Sequence, residues 1–330
     1  MKKLSFLDKV LYLINSLLAI LLLFSYSLQY LSPKSFPVLA VLSLFVPVLI
    51  ILNLIFLIYW VIKLKKQFLI SFIFLTLGLF LSPPIFKISE KSSSLNDDLK
   101  VMSYNVKTFD LFNNKNNKDG YDFIAEIDPD ILIIQEFYQS SKIRLNFPYK
   151  YIKKKNGEYG LAIYSNYKII NSGSLDLKNT SNNIIYCDIL KEKDTIRIYN
   201  LHLESLRIKP NEENFGEKNS EKLLNRISAS FKKQVYQTEL FLEHEQNWNG
   251  KIIISGDFNN TAYSWVYKQI LSNKKDAFIS AGKGFGKTYN YFLPTRIDFI
   301  ITNKNAIINT FKTYSVDYSD HYPIMSKISW

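Results

Sequence analysis

The chain has 330 residues, which is enough for one large domain with an appendage or for two modest domains. Its net charge of +12 is compatible with an anionic substrate or a membrane surface, and the sequence has no polybasic arm of the kind that binds nucleic acid. The single cysteine, Cys187, excludes an intramolecular disulfide, and the three histidines lack the cysteine partners of a zinc site. Apolar residues are concentrated before Lys87, so the chain divides into an apolar part and a mixed, globular part.

Three apolar runs make up the first part, at about residues 10–31, 36–62 and 68–86. Each is close to the length of roughly 20 residues with which an α-helix crosses the hydrocarbon core of a bilayer. The first run is too long for a signal peptide and lacks a small-residue cleavage site before Pro33. We therefore predict three transmembrane helices that hold the chain in a lipid bilayer, within a membrane anchor at residues 1–88.

The lysines around these runs predict the orientation of the anchor, because cytoplasmic loops carry an excess of positive charge. Three lysines precede the first run, three separate the second from the third, and one separates the first from the second: Lys2, Lys3, Lys9, Lys63, Lys65, Lys66 and Lys34. Three crossings then place everything after the anchor outside the cytoplasm. We predict a multi-pass protein of the cytoplasmic membrane with a periplasmic or extracellular domain, whereas a two-span hairpin would reverse this orientation.

Residues 89–98 are polar and predict a short linker to a soluble domain at residues 99–330. Short apolar segments that end in polar residues predict strands in this domain, and two amphipathic stretches predict helices. The predicted strands are 101–104, 131–134, 161–164, 184–190, 195–201, 252–255 and 297–302, and the predicted helices are 120–127 and 220–248. Strands in both hairpin and helix-linked order predict an α/β fold, with a mixed sheet or two stacked sheets flanked by helices.

Polar residues stand at the ends of these strands, where an α/β scaffold presents catalytic side chains. They are Asn105, Glu136, His202, Asp257, Asn259, Asp298, Asp320 and His321. Taken singly, most of them have an ordinary structural interpretation, although Asp298 interrupts an apolar strand and therefore needs a hydrogen-bonded partner. Taken together, they supply what phosphodiester hydrolysis requires, namely ligands for a hard cation, a base and hydrogen-bond donors.

In this order the segments resemble the endonuclease/exonuclease/phosphatase superfamily, which includes pancreatic deoxyribonuclease, abasic-site endonucleases, neutral sphingomyelinases and inositol-phosphate 5-phosphatases. The resemblance covers roughly residues 99–330. It implies a four-layer α/β sandwich of two stacked mixed β-sheets flanked by helices, preceded here by three transmembrane helices as in membrane-anchored bacterial members. The matching segments are Ser103–Val106, Gln135–Glu136, Asn200–Leu203, Gly256–Asn259, Arg296–Phe299 and Ser319–His321.

The resemblance also implies a site for Mg²⁺ or Mn²⁺. Glu136 would be the main metal ligand, and Asp320 and Asn105 would complete or support the site. Lys107 departs from the family pattern, because some nuclease members carry a second acid at this position. The number of ions is therefore left open.

The remaining residues take the chemical roles that the resemblance implies. His321 would be the general base that activates water, and Asp298 would hold its imidazole in the required tautomer. Asp257 would lie close to the attacking water, Asn259 would bind the phosphate, and His202 would stabilise the transition state or assist the leaving group. A histidine near its reference pKa of about 6.5 is a usable base near neutrality.

Residues 281–288 satisfy the loose pattern of a phosphate-binding loop, but the extended, Pro-stopped sequence after them does not predict the helix that such a loop needs. We therefore expect no nucleotide cofactor. Lys287 and Tyr289 in this basic loop are candidate substrate-binding residues, and an ordinary glycine loop is an equally good interpretation.

Three functions are compatible with these features. The first is a divalent-metal phosphodiesterase, nuclease-like, that acts outside the cytoplasmic membrane. The second uses the same chemistry on a phospholipid or sphingolipid head group. The third is a catalytically inactive, membrane-bound interaction module, which the intact set of polar residues disfavours.

Overall fold

A computed structural model of the chain describes residues 4–91, 93, 98–109, 116–138, 145–157, 159–208, 217–291 and 293–330. Four α-helices form the apolar part. They are α1 (Phe6–Ser27), α2 (Pro37–Ala40), α3 (Val46–Ile62) and α4 (Phe68–Leu81). The hydroxyl of Ser5 caps α1 by accepting a hydrogen bond from the backbone N–H of Asp8, at 3.1 Å. Lys2 and Lys3, which contribute to the predicted orientation, lie outside the described residues.

Two of the three predicted spans are long and apolar enough to cross a membrane, by length and composition alone: Phe6–Tyr30 and Pro37–Ile62. The third prediction, at residues 68–86, is wrong in its extent. Helix α4 has 14 residues and ends at Leu81. Its end is explained by Pro83 and Pro84, because a proline has no N–H to donate and restricts the residue before it. At 1.5 Å per residue α4 is about 21 Å long, against about 30 Å for the hydrocarbon core.

The three long helices pack as an antiparallel bundle with polar residues inside and apolar residues outside. Asn15, Asn53 and Ser71 are fully buried, and Asn15 donates to Ser71 at 2.7 Å and accepts from the indole N–H of Trp60 at 3.0 Å. Large apolar side chains cover the outer surface instead, including Leu13, Leu17, Ile20, Ile55, Ile58, Phe72 and Ile73. This distribution is the reverse of that in a water-soluble bundle.

The remaining part of the chain contains twelve strands and four helices among the described residues. The strands are β1 (Leu99–Asn105), β2 (Ile131–Tyr138), β3 (Tyr149–Asn156), β4 (Tyr159–Ser165), β5 (Lys168–Ser174), β6 (Asn183–Lys191), β7 (Asp194–His202), β8 (Lys251–Asp257), β9 (Lys275–Asp276), β10 (Asp298–Thr302), β11 (Ile307–Thr313) and β12 (Ile324–Ser329). The helices are α5 (Asn116–Ile127), α6 (Glu217–Glu245), α7 (Trp265–Leu271) and α8 (Ala277–Ala281). Every strand and both helices that the sequence predicts are present, with ends that differ by a few residues.

The strands form two six-stranded mixed sheets. The first has the order β11-β12-β1-β2-β4-β3 and the second has the order β5-β6-β7-β8-β10-β9. Each sheet has one parallel pair, β1 with β2 and β7 with β8, and its other pairs are antiparallel. Because parallel neighbours end at the same edge of a sheet, the carboxyl ends of four central strands are available to one site.

The predicted architecture of two sheets flanked by helices is confirmed. Apolar residues from both sheets, such as Val101, Ile133, Ile198 and Ile253, form a buried core between them. Helix α5 covers the outer face of the first sheet, while α6 and α7 cover the outer face of the second. The layers therefore follow the order helix, sheet, sheet, helix.

The helix bundle and the sandwich share a packed interface. Tyr263, in the loop after β8, inserts among Leu22, Tyr26, Val46 and Leu49 of the helix bundle. A second apolar cluster joins the short helix α2 to helix α6 and to the loop after β7; its buried members are Ala40, Val41, Leu206, Ile227 and Phe231. The sandwich therefore rests on the end of the bundle at which α1 ends and α3 begins.

The segment after α4 also lies against the sandwich. Lys87 pairs with Gly284 through two backbone hydrogen bonds of 2.9 Å, and the rings of Phe86 and Phe285 meet edge to face. Within the predicted linker at residues 89–98, the backbone N–H of Ser93 donates to the carbonyl oxygen of Asn309. Residues 92 and 94–97 of that linker lie outside the described residues, and its boundaries stay a prediction.

The Tyr263 contact predicts a stability effect. Tyr263→Ala should lower the free energy of unfolding by about 3 kcal/mol, because it opens a cavity between the bundle and the sandwich. Denaturation of the full chain in detergent micelles, followed by tryptophan fluorescence, measures the change. Tyr236→Ala on α6 is the matched control, since Tyr236 is 50% exposed and Tyr263 is 7% exposed. Equal effects of the two substitutions would contradict the interface.

Candidate active site

The predicted site residues meet at one edge of the sandwich, where the two parallel strand pairs end. Asn105 is the last residue of β1, and His202 and Asp257 are the paired last residues of β7 and β8. The Asn105 carboxamide crosses between the sheets, since its Nδ2 donates to Asp257 Oδ2 at 3.0 Å and to Glu136 Oε1 at 3.3 Å. The structure therefore brings residues of both sheets into a single polar cluster.

His321 and Asp298 form a hydrogen-bonded pair inside this cluster. His321 Nδ1 lies 3.0 Å from Asp298 Oδ2, and His321 Nε2 lies 3.8 Å from Asp257 Oδ2. Because a carboxylate only accepts hydrogen bonds, Nδ1 carries the proton and Nε2 faces Asp257. Ser319 Oγ fixes the turn before the histidine by accepting from the His321 N–H at 3.2 Å and donating to the Asn105 carbonyl at 2.8 Å.

Burial and charge act in opposite directions on His321. Burial by itself lowers the pKa of the imidazole, but the carboxylates of Asp298 and Asp257 outweigh it and raise the pKa to about 10. Burial is also the main cause that raises the pKa of Asp257, to about 6. With both carboxylates charged, His321 therefore carries a proton at neutral pH.

The Gly256-Asp257-Phe258-Asn259 segment has a geometric reason for each of its residues. Gly256 has φ +135°, and a Cβ there would stand 2.0 Å from the Leu201 carbonyl oxygen, so β7 and β8 can approach only with glycine at this position. Phe258 is fully buried in the core. Asn259 has φ +49°, and its backbone N–H donates to Asp257 Oδ1 at 2.7 Å while its Nδ2 donates to the Leu203 carbonyl at 3.0 Å.

The Nε2 atom of His202 faces the cluster without a hydrogen bond from the described residues. This nitrogen lies 3.7 Å from Glu136 Oε1 and 3.8 Å from Asp257 Oδ2, and it is buried with no hydrogen-bond partner among the described residues. A buried polar atom without a partner is costly, so an incoming group with a hydrogen-bonding atom would find this nitrogen available.

Two groups of side chains could hold a metal ion. Asp257, Asp298 and His321 each offer one ligand atom, and these three atoms lie within 4.8 Å of one another. These side chains are at most 8% exposed, however, and Asp298 already accepts a hydrogen bond from His321, which disfavours an ion such as Mg²⁺ that retains several waters. The Glu136 and Asp320 side chains are 41% and 31% exposed. Their carboxylates, with Asn105 beside Glu136, fit a hard, hydrated cation better.

The predicted substrate-binding residues lie at the rim of the cluster. The Tyr289 ring stands 5.1 Å from the His321 ring, centroid to centroid, and the two residues form an isolated β-bridge. The Lys287 ammonium lies 5.6 Å from the ring centroid of Tyr322, the neighbour of His321. After residues 281–288 the described chain continues without a helix to Asp298, so the geometry of a nucleotide-binding loop is not formed in that part.

Several supporting residues were given no role in the sequence analysis. Gln135 and Asn200 are fully buried and join the sheets beneath the site through a 2.7 Å hydrogen bond from Gln135 Nε2 to Asn200 Oδ1. The Thr288 hydroxyl accepts from the backbone N–H groups of Ile297 and Asp298 and so fixes the start of β10. For Gln135 and Asn200 the available signal was their position. Each is a polar residue near the end of an apolar strand, directly beside Glu136 or shortly before His202.

The chain matches the profile of a known protein family. The profile of the Endonuclease/Exonuclease/phosphatase family matches residues 102–321, which span the whole polar cluster. The chain belongs to this family. Members of the Endonuclease/Exonuclease/phosphatase family are phosphoric ester hydrolases and use divalent metals. Residues 8–85 match a second family, described only as a domain of unknown function, and no curated protein sequence matches the chain.

Several solved structures share the fold. A humanized TDP2 of D. rerio has a TM-score of 0.54 and 16% identity, over 71% of this chain and 99% of that one. A mannosyl-6-phosphatase of Bacteroides thetaiotaomicron has a TM-score of 0.51 and 18% identity, over 70% of this chain and all of that one (100%). D. rerio TDP2 complexed with a single-strand DNA product has a TM-score of 0.52 and 16% identity, over 71% and 100%. At these identities the comparison shows the fold alone.

The pKa of His321 predicts a pH-dependent stability. A histidine whose pKa is raised from 6.5 to about 10 on folding contributes stability that is complete below pH 6.5 and is lost as the pH rises towards 10. The stability difference between the wild type and His321→Gln, both in EDTA, should therefore be largest near pH 6 and shrink towards pH 10. Thermal denaturation across this range measures it, and a difference that does not change with pH would contradict the prediction.

Proposed function

We propose that this family member is a divalent-metal-dependent phosphodiesterase, anchored in the cytoplasmic membrane with its catalytic domain on the extracytoplasmic side. The observation that carries the proposal is the alignment of Asp298, His321 and Asp257, with the open carboxylates of Glu136 and Asp320 beside them. A base, its orienting acid and a cation site thus lie around one space, as hydrolysis of a phosphate ester requires.

Glu136, Asp320 and Asn105 would hold Mg²⁺ or Mn²⁺. When bound, such an ion would supply positive charge that stabilises the phosphate, and its binding to Asp320 would weaken one of the carboxylate charges that raise the pKa of His321. The chemistry of the donor set supports this assignment, because carboxylate and carboxamide oxygens are the ligands that hard cations prefer.

His321 would act as the general base through Nε2. Asp298 holds the proton on Nδ1 and stabilises the imidazolium that forms when Nε2 takes a proton from water. His321 Nε2 and Asp257 Oδ2 are 3.8 Å apart, close enough for one water to hydrogen-bond to both. Asp257 would thus orient the attacking water.

His202 and Asn259 would bind the phosphate. The Nε2 atom of His202 faces the cluster with no hydrogen-bond partner among the described residues, so it can donate to a phosphate or leaving-group oxygen. Asn259 Nδ2 uses one hydrogen for the Leu203 carbonyl and has a second one for the substrate.

The bundle supports the proposed membrane anchor. Its large apolar residues face outward and its polar residues face inward, as expected where lipid replaces water. We propose that the chain crosses the membrane three times, with α4 as the third crossing. Ser82 follows the last residue of α4, and the apolar residues 83–86 after it continue toward the sandwich.

The ends of the bundle support the orientation. At one end, Lys63 pairs with Asp8 at 3.3 Å, and Lys65 and Lys66 follow Lys63 in the sequence. At the other end, Gln29 donates to the Leu81 carbonyl, and there the sandwich packs on the bundle through Tyr263. The catalytic domain therefore packs on the end of the bundle opposite Lys63. The positive-inside rule assigns that end to the outside.

A nucleic acid and a lipid head group are the two substrate classes to compare. The TDP2 complex with a DNA product is the reason to test a nucleic acid. The reason to test phospholipid and sphingolipid head groups is that the loop bearing Asn259 continues directly into Tyr263 at the anchor. The third hypothesis, an inactive interaction module, is disfavoured because every predicted polar residue is present in the cluster.

Hydrolysis by the full chain in detergent or nanodiscs tests the function. We expect Mg²⁺- or Mn²⁺-dependent cleavage of bis(p-nitrophenyl) phosphate, with a fall of about a hundredfold or more in His321→Ala and Asp257→Ala, because each substitution removes a group that handles the attacking water. DNA, RNA and sphingomyelin vesicles, assayed in parallel, separate the substrate classes.

His244→Gln is the control, since His244 contacts Tyr199 away from the cluster. Circular dichroism of each variant shows that the fold is retained. Near-full turnover in a folded His321→Ala or Asp257→Ala variant would refute the site, and absence of metal-dependent cleavage in the wild type would refute the function.

Reporter fusions test the orientation. Alkaline phosphatase fused after Trp330 should be active, because the enzyme folds only when exported, whereas green fluorescent protein at the same place should be dark. Fusions after Lys66, in the predicted cytoplasmic loop, should give the opposite pattern. A fluorescent fusion after Trp330 would show an even number of crossings and overturn the proposed side.

A further inference from the structure

A lysine occupies the open side of the polar cluster. The Lys107 ammonium lies 2.7 Å from Asp320 Oδ2 and forms an ion pair with that carboxylate. The Glu136 carboxylate also acts on Lys107 through its negative charge. Lys107 therefore stands among the oxygens that the proposed function assigns to a divalent ion.

The local backbone directs this side chain into the cluster. Lys107 has φ +41° and Thr108 has φ +58°, a left-handed conformation that residues other than glycine seldom adopt. The turn is held in place because the Lys107 N–H donates to Asn105 Oδ1 at 3.1 Å and the Val106 N–H donates to the Gln135 carbonyl at 3.1 Å. Asn105 therefore positions both Glu136 and the turn that presents Lys107.

Lys107 balances part of the negative charge of the cluster. Four carboxylates meet there, from Glu136, Asp257, Asp298 and Asp320, and His321 lies between the two buried ones. Lys107 is the cation that pairs with the open side within the described part of the cluster. Without it, the Asp320 carboxylate would have no positively charged partner among the described residues.

We propose that Lys107 is a resident cation that limits the site to one divalent ion. This inference rests on the proposed function, because it takes Glu136, Asp320 and Asn105 as the ion site. The ammonium neutralises Asp320 when no ion is bound. It repels a second divalent ion when one is bound and remains beside the phosphate as a fixed positive charge. Lys107 thus determines how many ions the enzyme uses.

Substitutions at residue 107 should change ion binding in a defined order. Lys107→Met removes the competing charge without adding a ligand, so Mn²⁺ should bind at least threefold more tightly with an unchanged stoichiometry of one. Lys107→Asp adds a carboxylate next to Asp320, so a second Mn²⁺ should bind. In EDTA, Lys107→Met should melt at a lower temperature than the wild type, and Mn²⁺ should raise its melting temperature by more.

Mn²⁺ titration of the full chain in detergent provides the measurement, with calorimetry for affinity and electron paramagnetic resonance of free Mn²⁺ for stoichiometry. Lys150→Met is the matched control, since Lys150 is an exposed lysine on β3 of the same sheet. It should bind Mn²⁺ as the wild type does. These readouts do not depend on substrate or turnover.

The outcomes separate this inference from the proposed function. Two ions in the wild type, one ion in Lys107→Asp, or equal affinities in Lys107→Met and Lys150→Met would each overturn the role of Lys107 and leave the phosphodiesterase intact. Failure of every variant, including the wild type, to bind Mn²⁺ would overturn the ion site itself and both proposals with it.

Discussion

The hydrogen bond from the Asn105 carboxamide to the Asp257 carboxylate crosses between the two sheets where their central parallel pairs end. The same carboxamide reaches Glu136 on the neighbouring strand and accepts the N–H that begins the Lys107 turn. Beneath it, the buried hydrogen bond between Gln135 and Asn200 fixes how the sheets face each other. A small relative shift of the sheets would separate His321, the proposed base, from Glu136, the proposed metal ligand, so the fold and the candidate site depend on the same contacts.

Charge is the second constraint, and the cluster handles it by dividing its carboxylates into two environments. Asp257 and Asp298 are buried and share the imidazole of His321, which raises the pKa of that histidine. Glu136 and Asp320 remain partly exposed, where water and a cation can reach them. Buried carboxylates are suited to proton transfer because their surroundings do not change during the reaction. Exposed carboxylates are suited to binding a divalent cation that retains its waters.

The sequence predicted the parts of the molecule that leave a local signature. Buried strands such as β7 and β8 are apolar runs, and their polar last residues marked the site. The edge strands β3 and β5 were missed, because each has a single neighbouring strand and carries exposed polar residues, which are Lys150 and Lys154 on β3 and Lys168, Asn171 and Ser172 on β5. The pair of Lys107 with Asp320 joins residues 213 apart, and no local pattern reports such a contact. The third apolar run was overextended, because hydropathy does not register the helix-stopping effect of Pro83 and Pro84.

Tyr263 and the strand-like pairing of Lys87 with Gly284 hold the sandwich directly on the helix bundle. An enzyme on a long flexible tether samples a hemisphere of solution, and its local concentration at any point falls steeply with tether length. An enzyme domain that is packed on its membrane helices does not sample this volume. In the proposed topology its catalytic centre travels at one height above the bilayer and searches in two dimensions. Molecules that diffuse in or along the membrane would then meet it far more often than molecules dissolved in the surrounding fluid.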